Sequence, residues 1–127
     1  MILIVDDDEG MTDACSMLLE AHGFDVCVAA SGAEALSKIS EPSLELVISD
    51  CAMPGMSGAE LSERLRADPS TAELPILLMS ASLRCDVAQG STYNAFLRKP
   101  FLAENLLVEV RKLLEGVDAI QINYSKV

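Results

Sequence analysis

The chain predicts an α/β fold, a single parallel sheet with helices on both faces. Three observations lead there. Five short apolar runs alternate with stretches in which apolar residues recur at helical spacing. Two of the runs end on carboxylates, the first on Asp6-Asp7-Asp8 and the third on Asp50. The 127 residues, half of them apolar, suffice for one domain with a sizeable core. Right-handed crossovers would bring every strand's carboxyl end to one edge, where open α/β sheets place their ligands.

The elements follow in order. Ile2-Leu3-Ile4-Val5 is the first strand. From Glu9 the period changes, with Met11, Cys15, Leu18, Leu19 and His22 on one helical face and Gly23 as a left-handed stop. His22 falls in the last turn, where its imidazole suits the helix dipole. Residues 24–29 read as the second strand. Ser31-Gly32-Ala33-Glu34 has the form of a capping box, opening a helix with Ala35, Leu36 and Ile39 inward. Pro42 follows that helix, and the third strand is expected over residues 44–49. Gly58 opens a helix with Leu61 and Leu65 inward and Arg64 and Arg66 outward, broken by Asp68-Pro69-Ser70. Residues 75–80 are the fourth strand, with Pro75 tolerated at its first position. Residues 82–94 carry no helical stripe, and loops of usual length leave about one or two helical turns there. The fifth strand covers 95–98 and precedes Lys99-Pro100-Phe101. The last helix covers 103–115, with Leu106, Leu107, Val110, Leu113 and Leu114 buried and Gly116 ending it.

A net charge of −11 argues against nucleic acid or an anionic membrane as a direct ligand. It fits a cation site or a partner with a basic face. No apolar stretch is long enough to span a bilayer, and no signal peptide is expected before a strand that starts almost at Met1. The four cysteines (Cys15, Cys27, Cys51 and Cys85) form no CxxC pair, so a reduced, cytoplasmic protein without a zinc site is expected. Cys15 and Cys27 read as small core hydrophobes, and Cys51 as a partly buried structural thiol.

Asp6, Asp7, Asp50, Ser80 and Lys99 all lie at predicted strand ends. Converging carboxylates repel, by about 4 kcal/mol per pair at 4 Å and an effective dielectric near 20. Either a pKa rises or a cation sits among them. An all-oxygen, water-open set suits Mg²⁺ better than zinc or a closed Ca²⁺ cage. Lys99 at the opposite lip can neutralise phosphoryl oxygens, and Ser80 can donate to another. A carboxylate is a competent nucleophile toward phosphorus, giving an aspartyl phosphate. Taken singly, each feature has a plainer reading: Asp6-Asp7-Asp8 as a helix cap, Lys99 as an exposed lysine. Their joint placement favours the pocket.

With ILIVDDD, LVISDCAMPGMSG, LLMSA and FLRKPF in that order, the chain resembles a two-component response-regulator receiver domain from residue 2 to about 115. The resemblance implies a flavodoxin-like sheet of order 2-1-3-4-5, with a fourth helix that is short or irregular here. It implies a phosphoacceptor at Asp50, a direct metal ligand at Asp7, and Asp6 reaching the metal mostly through water. The backbone carbonyl of Ala52 is a further implied ligand, Ser80 and Phe96 the switch residues, and Lys99 the phosphoryl-pairing lysine. It also implies Mg²⁺, with Mn²⁺ as a substitute, and a histidine kinase or histidine phosphotransfer domain as donor. A downstream protein or output domain would read the change, and a homodimer is compatible with it. Residues 1–116 would be the receiver and 117–127, which alternate weakly through Ile120, Ile122 and Tyr124, a tail or linker stump. Such a module catalyses only its own phosphorylation and dephosphorylation.

The 82–94 stretch departs from the family pattern, being a few residues short and lacking a regular fourth helix; the small Ala52 and Ser82 leave water access fairly open. Two rival readings stand beside this one. A receiver-like interaction domain without phosphotransfer would have lost an acidic residue or the lysine, and all are present. An Asp-nucleophile phosphatase of the haloacid-dehalogenase type would place a DxD pair on the first strand, where this chain has consecutive aspartates.

Overall fold

The computed structural model describes residues 1–81 and 92–115. Five strands, β1 (Ile2–Val5), β2 (Val26–Ala29), β3 (Leu46–Asp50), β4 (Ile76–Ser80) and β5 (Ala95–Arg98), form one parallel sheet in the order β2-β1-β3-β4-β5. The helices are α1 (Glu9–Ala21), α2 (Gly32–Lys38), α3 (Gly58–Ala67) and α4 (Ala103–Glu115). This is the predicted α/β, flavodoxin-like architecture. The expected short helix, Ser82, Cys85, Gly116 and the 117–127 tail lie outside the described residues, and so does most of the irregular 82–94 stretch.

Alternation along the strands divides the interior into two layers. Ile2, Ile4, Leu46, Ile48, Leu77 and Met79 face one way, against Leu19 of α1 and Leu106 and Val110 of α4. Leu3, Val5, Val47, Ile76 and Leu78 face the other, against Ala35 of α2 and Leu61 and Leu65 of α3. The central strands are buried on both faces, which is why they read as continuous apolar runs rather than as alternating ones. The pairings Val5↔Ser49 and Asp50↔Met79 bring the carboxyl ends of β1, β3 and β4 level. Asp6 therefore stands beside Asp50.

Several local expectations are corrected. β2 begins at Val26, not at residue 24, because the end of α1 uses the intervening residues. Phe24 N–H donates to Leu19 O at 3.1 Å, and Gly23 takes φ +91°. β3 begins at Leu46 because Leu44 closes a turn, its N–H donating to Glu41 O at 3.0 Å. Ser31 does cap α2, accepting from Glu34 N–H at 3.1 Å, but Glu34 Oε1 reaches back to Ala30 N–H (2.8 Å). The reciprocal capping box is at Ser57 and Glu60, at the start of α3. Arg66 is not turned outward like the exposed Arg64. Its guanidinium donates to Leu74 O at 2.7 Å and to Asn94 Oδ1 at 2.7 Å, closing the α3–β4 turn onto the entry to β5.

His22 is the C-cap of α1, with Nδ1 2.9 Å from Leu18 O. Burial pushes the thiols of Cys15 and Cys27 up, as suits structural cysteines. Cys27 is only half-buried, and Cys51 is fully buried rather than partly so. Among the described residues no helix is long and apolar enough to cross a membrane.

Candidate functional site

The site lies at the carboxyl edge of the sheet. Each side chain is placed by the end of a strand. Asp6 follows β1, and its N–H donates to Ala29 O at 3.1 Å, which holds the chain in extended register one step past the strand. Its Oδ1 accepts from Asp8 N–H at 3.0 Å. Asp8 turns away to cap α1, accepting from Gly10 and Met11 N–H at 3.0 and 3.4 Å. The acidic triplet is thus divided: Asp8 has the capping role, while Asp6 and Asp7 remain for the site. Asp50 ends β3, and Lys99 follows β5, with a cis bond to Pro100 that the sequence did not indicate.

One carboxylate oxygen each from Asp6, Asp7 and Asp50 lies within 4.8 Å of the others. Lys99 Nζ stands 3.1 Å from Asp6 Oδ2 and 3.0 Å from Asp50 Oδ1. The Asp6 and Asp50 side chains are only 1% and 10% exposed, so their charges have little water around them. Burial raises the Asp50 carboxyl above its ordinary value; Lys99 opposes that, and the charges of Asp6 and Asp7 add to it. Burial alone would lower the Lys99 ammonium, but its bonds to Asp50 and Asp6 outweigh burial and hold it above its ordinary value.

Three carboxylates against one ammonium leave a formal charge of −2, which a divalent cation would cancel. The donors are all oxygen, the hard set that Mg²⁺ or Mn²⁺ takes. An open cleft of about 310 Å³ adjoins the trio, running from Asp6 and Asp7 past Thr12 to Asp13 and Glu34.

Ser80 ends β4 and is buried, and Lys99 N–H donates to its carbonyl at 2.8 Å. Ala52 is exposed two residues past Asp50. Phe96 is not a core ring. It is 38% exposed on β5, with its centroid 6.4 Å from that of Tyr93. Asp6, Asp7, Asp50 and Lys99 therefore converge as expected. Ser80 stands one strand over, and Phe96 is exposed on the edge strand.

Two supporting residues, Ser49 and Gly58, had no role in the sequence reading beyond lying on a strand and opening a helix. Both touch the main chain of Asp50.

Known proteins resemble this chain in sequence and in fold. Residues 2–111 match the family model of the response regulator receiver domain. The chain is similar to the DNA-binding dual master transcriptional regulator RpaA of Synechocystis, 36% identical over 122 residues, covering 94% of this chain and 51% of that protein. The chain thus spans about half the length of the curated relatives it matches. A putative response regulator from Chloroflexus aurantiacus superposes with a TM-score of 0.84 at 34% identity, over 91% of this chain and 97% of that one. The response regulator TrrA of Thermotoga maritima, solved in complex with Mg²⁺-BeF, superposes at 0.80 with 31% identity, over 89% and 97%. With the matching order of strands, the family match over most of its length and the acidic edge, this chain belongs to the response regulator receiver domain family.

Proposed function

We propose that Asp50 is the phosphoacceptor of a signalling switch. A carboxylate oxygen of Asp50 attacks the phosphorus of a phosphohistidine. A P–O bond forms as the P–N bond breaks, and the electron pair returns to the imidazole of the donor, a histidine kinase or phosphotransfer domain. The observation that carries this reading is the placement of Lys99 Nζ at 3.0 Å from Asp50 and 3.1 Å from Asp6, with Asp7 completing the acidic trio.

Lys99 is already above its ordinary pKa, so it stays cationic while the entering phosphoryl oxygens replace carboxylate as its partners. Ser80 would donate its hydroxyl to a phosphoryl oxygen from the neighbouring strand. Asp6, Asp7 and Asp50, with the Ala52 carbonyl, would hold Mg²⁺, or Mn²⁺ in its place. The ion would supply positive charge opposite the phosphoryl oxygens.

Phe96, outward in this structure, would turn inward as Ser80 moves toward the new dianion. The result is a changed surface for a downstream protein, an output domain or a second copy. The module would catalyse only its own phosphorylation and dephosphorylation, in the cytoplasm. Residues 1–116 would form the receiver and 117–127 a tail or linker. RpaA is named as DNA-binding; at −11 this domain is not the part that would meet nucleic acid.

The test is incubation with phosphoramidate and MgCl₂, read by intact mass. One adduct of about 80 Da is expected, absent in Asp50→Asn and absent when EDTA replaces the metal. An adduct that survives Asp50→Asn overturns the assignment.

A further inference from the structure

Ser49 is a polar residue inside an apolar layer. Along β3 it shares a face with Val47, which packs beneath Leu61 and Leu65 of α3, and it has no exposed surface. A hydroxyl buried there costs stability unless it is bonded. Its bond is local: Ser49 Oγ donates to the carbonyl of Asp50 at 2.9 Å.

Gly58 approaches the same peptide from the helix side. A Cβ at this position would overlap the Asp50 carbonyl oxygen, and it would lie 2.9 Å from Cys51 Cα and 3.0 Å from Asp50 C. These are main-chain atoms and cannot swing aside. The Gly58 N–H then donates to Cys51 O at 2.8 Å, and Cys51 N–H donates to Met79 O on β4 at 2.7 Å. The Asp50–Cys51 peptide is therefore bonded at its oxygen by Ser49 and at its nitrogen by β4, with the α-carbon of Gly58 against it.

We infer that Ser49 and Gly58 are positioning residues for Asp50. Together they fix the peptide plane that follows Asp50, and with it the main chain on which the carboxylate is mounted. That aims the carboxylate toward Lys99, Asp6 and Asp7. They also fix the start of the loop that contains Ala52. An apolar residue at position 49 would fill the layer but supply no donor to the Asp50 carbonyl. The inference rests on Asp50 being the reacting carboxylate.

The test reads cation affinity and stability on the same samples. Mg²⁺ binding is measured by isothermal titration at fixed ionic strength, and unfolding by urea in EDTA. Ser49→Ala is expected to weaken Mg²⁺ binding about tenfold, the size typical of groups that orient metal ligands. Its initial rate of phosphorylation by phosphoramidate at saturating Mg²⁺ falls as well. Ser49→Thr, which keeps the hydroxyl, restores both to within about threefold of wild type. Gly58→Ala is expected to lose more than Ser49→Ala; if it does not fold, the Ser49 pair decides alone.

A Ser49→Ala variant that is less stable yet binds Mg²⁺ and reacts as wild type does overturns the inference, since a purely structural role predicts that result. Failure of the wild type to form any adduct overturns the phosphoacceptor reading instead. The Mg²⁺ affinities still decide whether Ser49 and Gly58 aim the carboxylate.

Discussion

One ammonium serves two buried carboxylates at the carboxyl edge of this sheet, and much of the site's behaviour follows from that ratio. Removing Lys99 leaves Asp6 and Asp50 facing each other and Asp7 without a counter-charge. Lys99→Ala is expected to lose roughly 2 kcal/mol in urea unfolding at pH 7 without divalent cations, and less at lower pH, where the raised Asp50 carboxyl takes up its proton. Asp50 behaves oppositely. Its carboxyl is raised in the folded state by burial, so the native protein binds that proton more tightly than the unfolded chain does. Stability from this group is present at low pH and is lost as pH rises from the ordinary value of 3.8 through the raised native one. Asp50→Asn should therefore remove that loss and raise the metal-free melting temperature at pH 7; a lower melting temperature would contradict the sign. The four charged residues of the site were legible because each ends an apolar run, and run ends in a parallel sheet converge. Ser49 and Gly58 were not, because a close approach between a helix start and a strand's main chain leaves no compositional mark.

Among the elements, β1, β5 and α4 fall where the apolar periodicity placed them, since burial on one or both faces dictates their pattern. The misjudged boundaries lie where main-chain hydrogen bonds of a turn or helix end compete with the strand. Phe24 completes the end of α1, and Leu44 closes a turn onto Glu41. Arg66 shows the same limit for a side chain. Its position on the helical wheel marks it as outward, but the 71–74 turn offers carbonyls that its guanidinium can reach. Arg66→Ala is expected to destabilise the domain by about 1–2 kcal/mol in denaturant titrations. Arg64→Ala, fully at the surface, is expected to stay within about 0.5 kcal/mol. Equal effects would mean that Arg66 does not tie the turn to Asn94.

For the whole molecule, the direction of the helices matters as much as the net charge. Every described helix carries an acidic residue in its first turn, Glu9, Glu34, Glu60 and Glu104, favoured there by the helix dipole. In a parallel α/β sheet those first turns all follow the carboxyl ends of strands, so local capping preferences add to the field of the site. Screening by salt relieves the exposed part of this field but reaches the buried Asp6 and Asp50 less. At equal ionic strength, MgCl₂ should therefore raise the unfolding free energy more than NaCl does, by about 2.7 kcal/mol at a hundredfold excess over its Kd. Equal stabilisation by the two salts would count against a specific cation site. The bond from Lys99 N–H to Ser80 O has a mechanical meaning of its own. The hydroxyl and the counter-charge stand on the same rung between β4 and β5, so neither strand end can shift far without breaking that rung or carrying its neighbour. The two groups proposed to meet the phosphoryl oxygens thus share one degree of freedom, and the edge strand bearing Phe96 is geared to it.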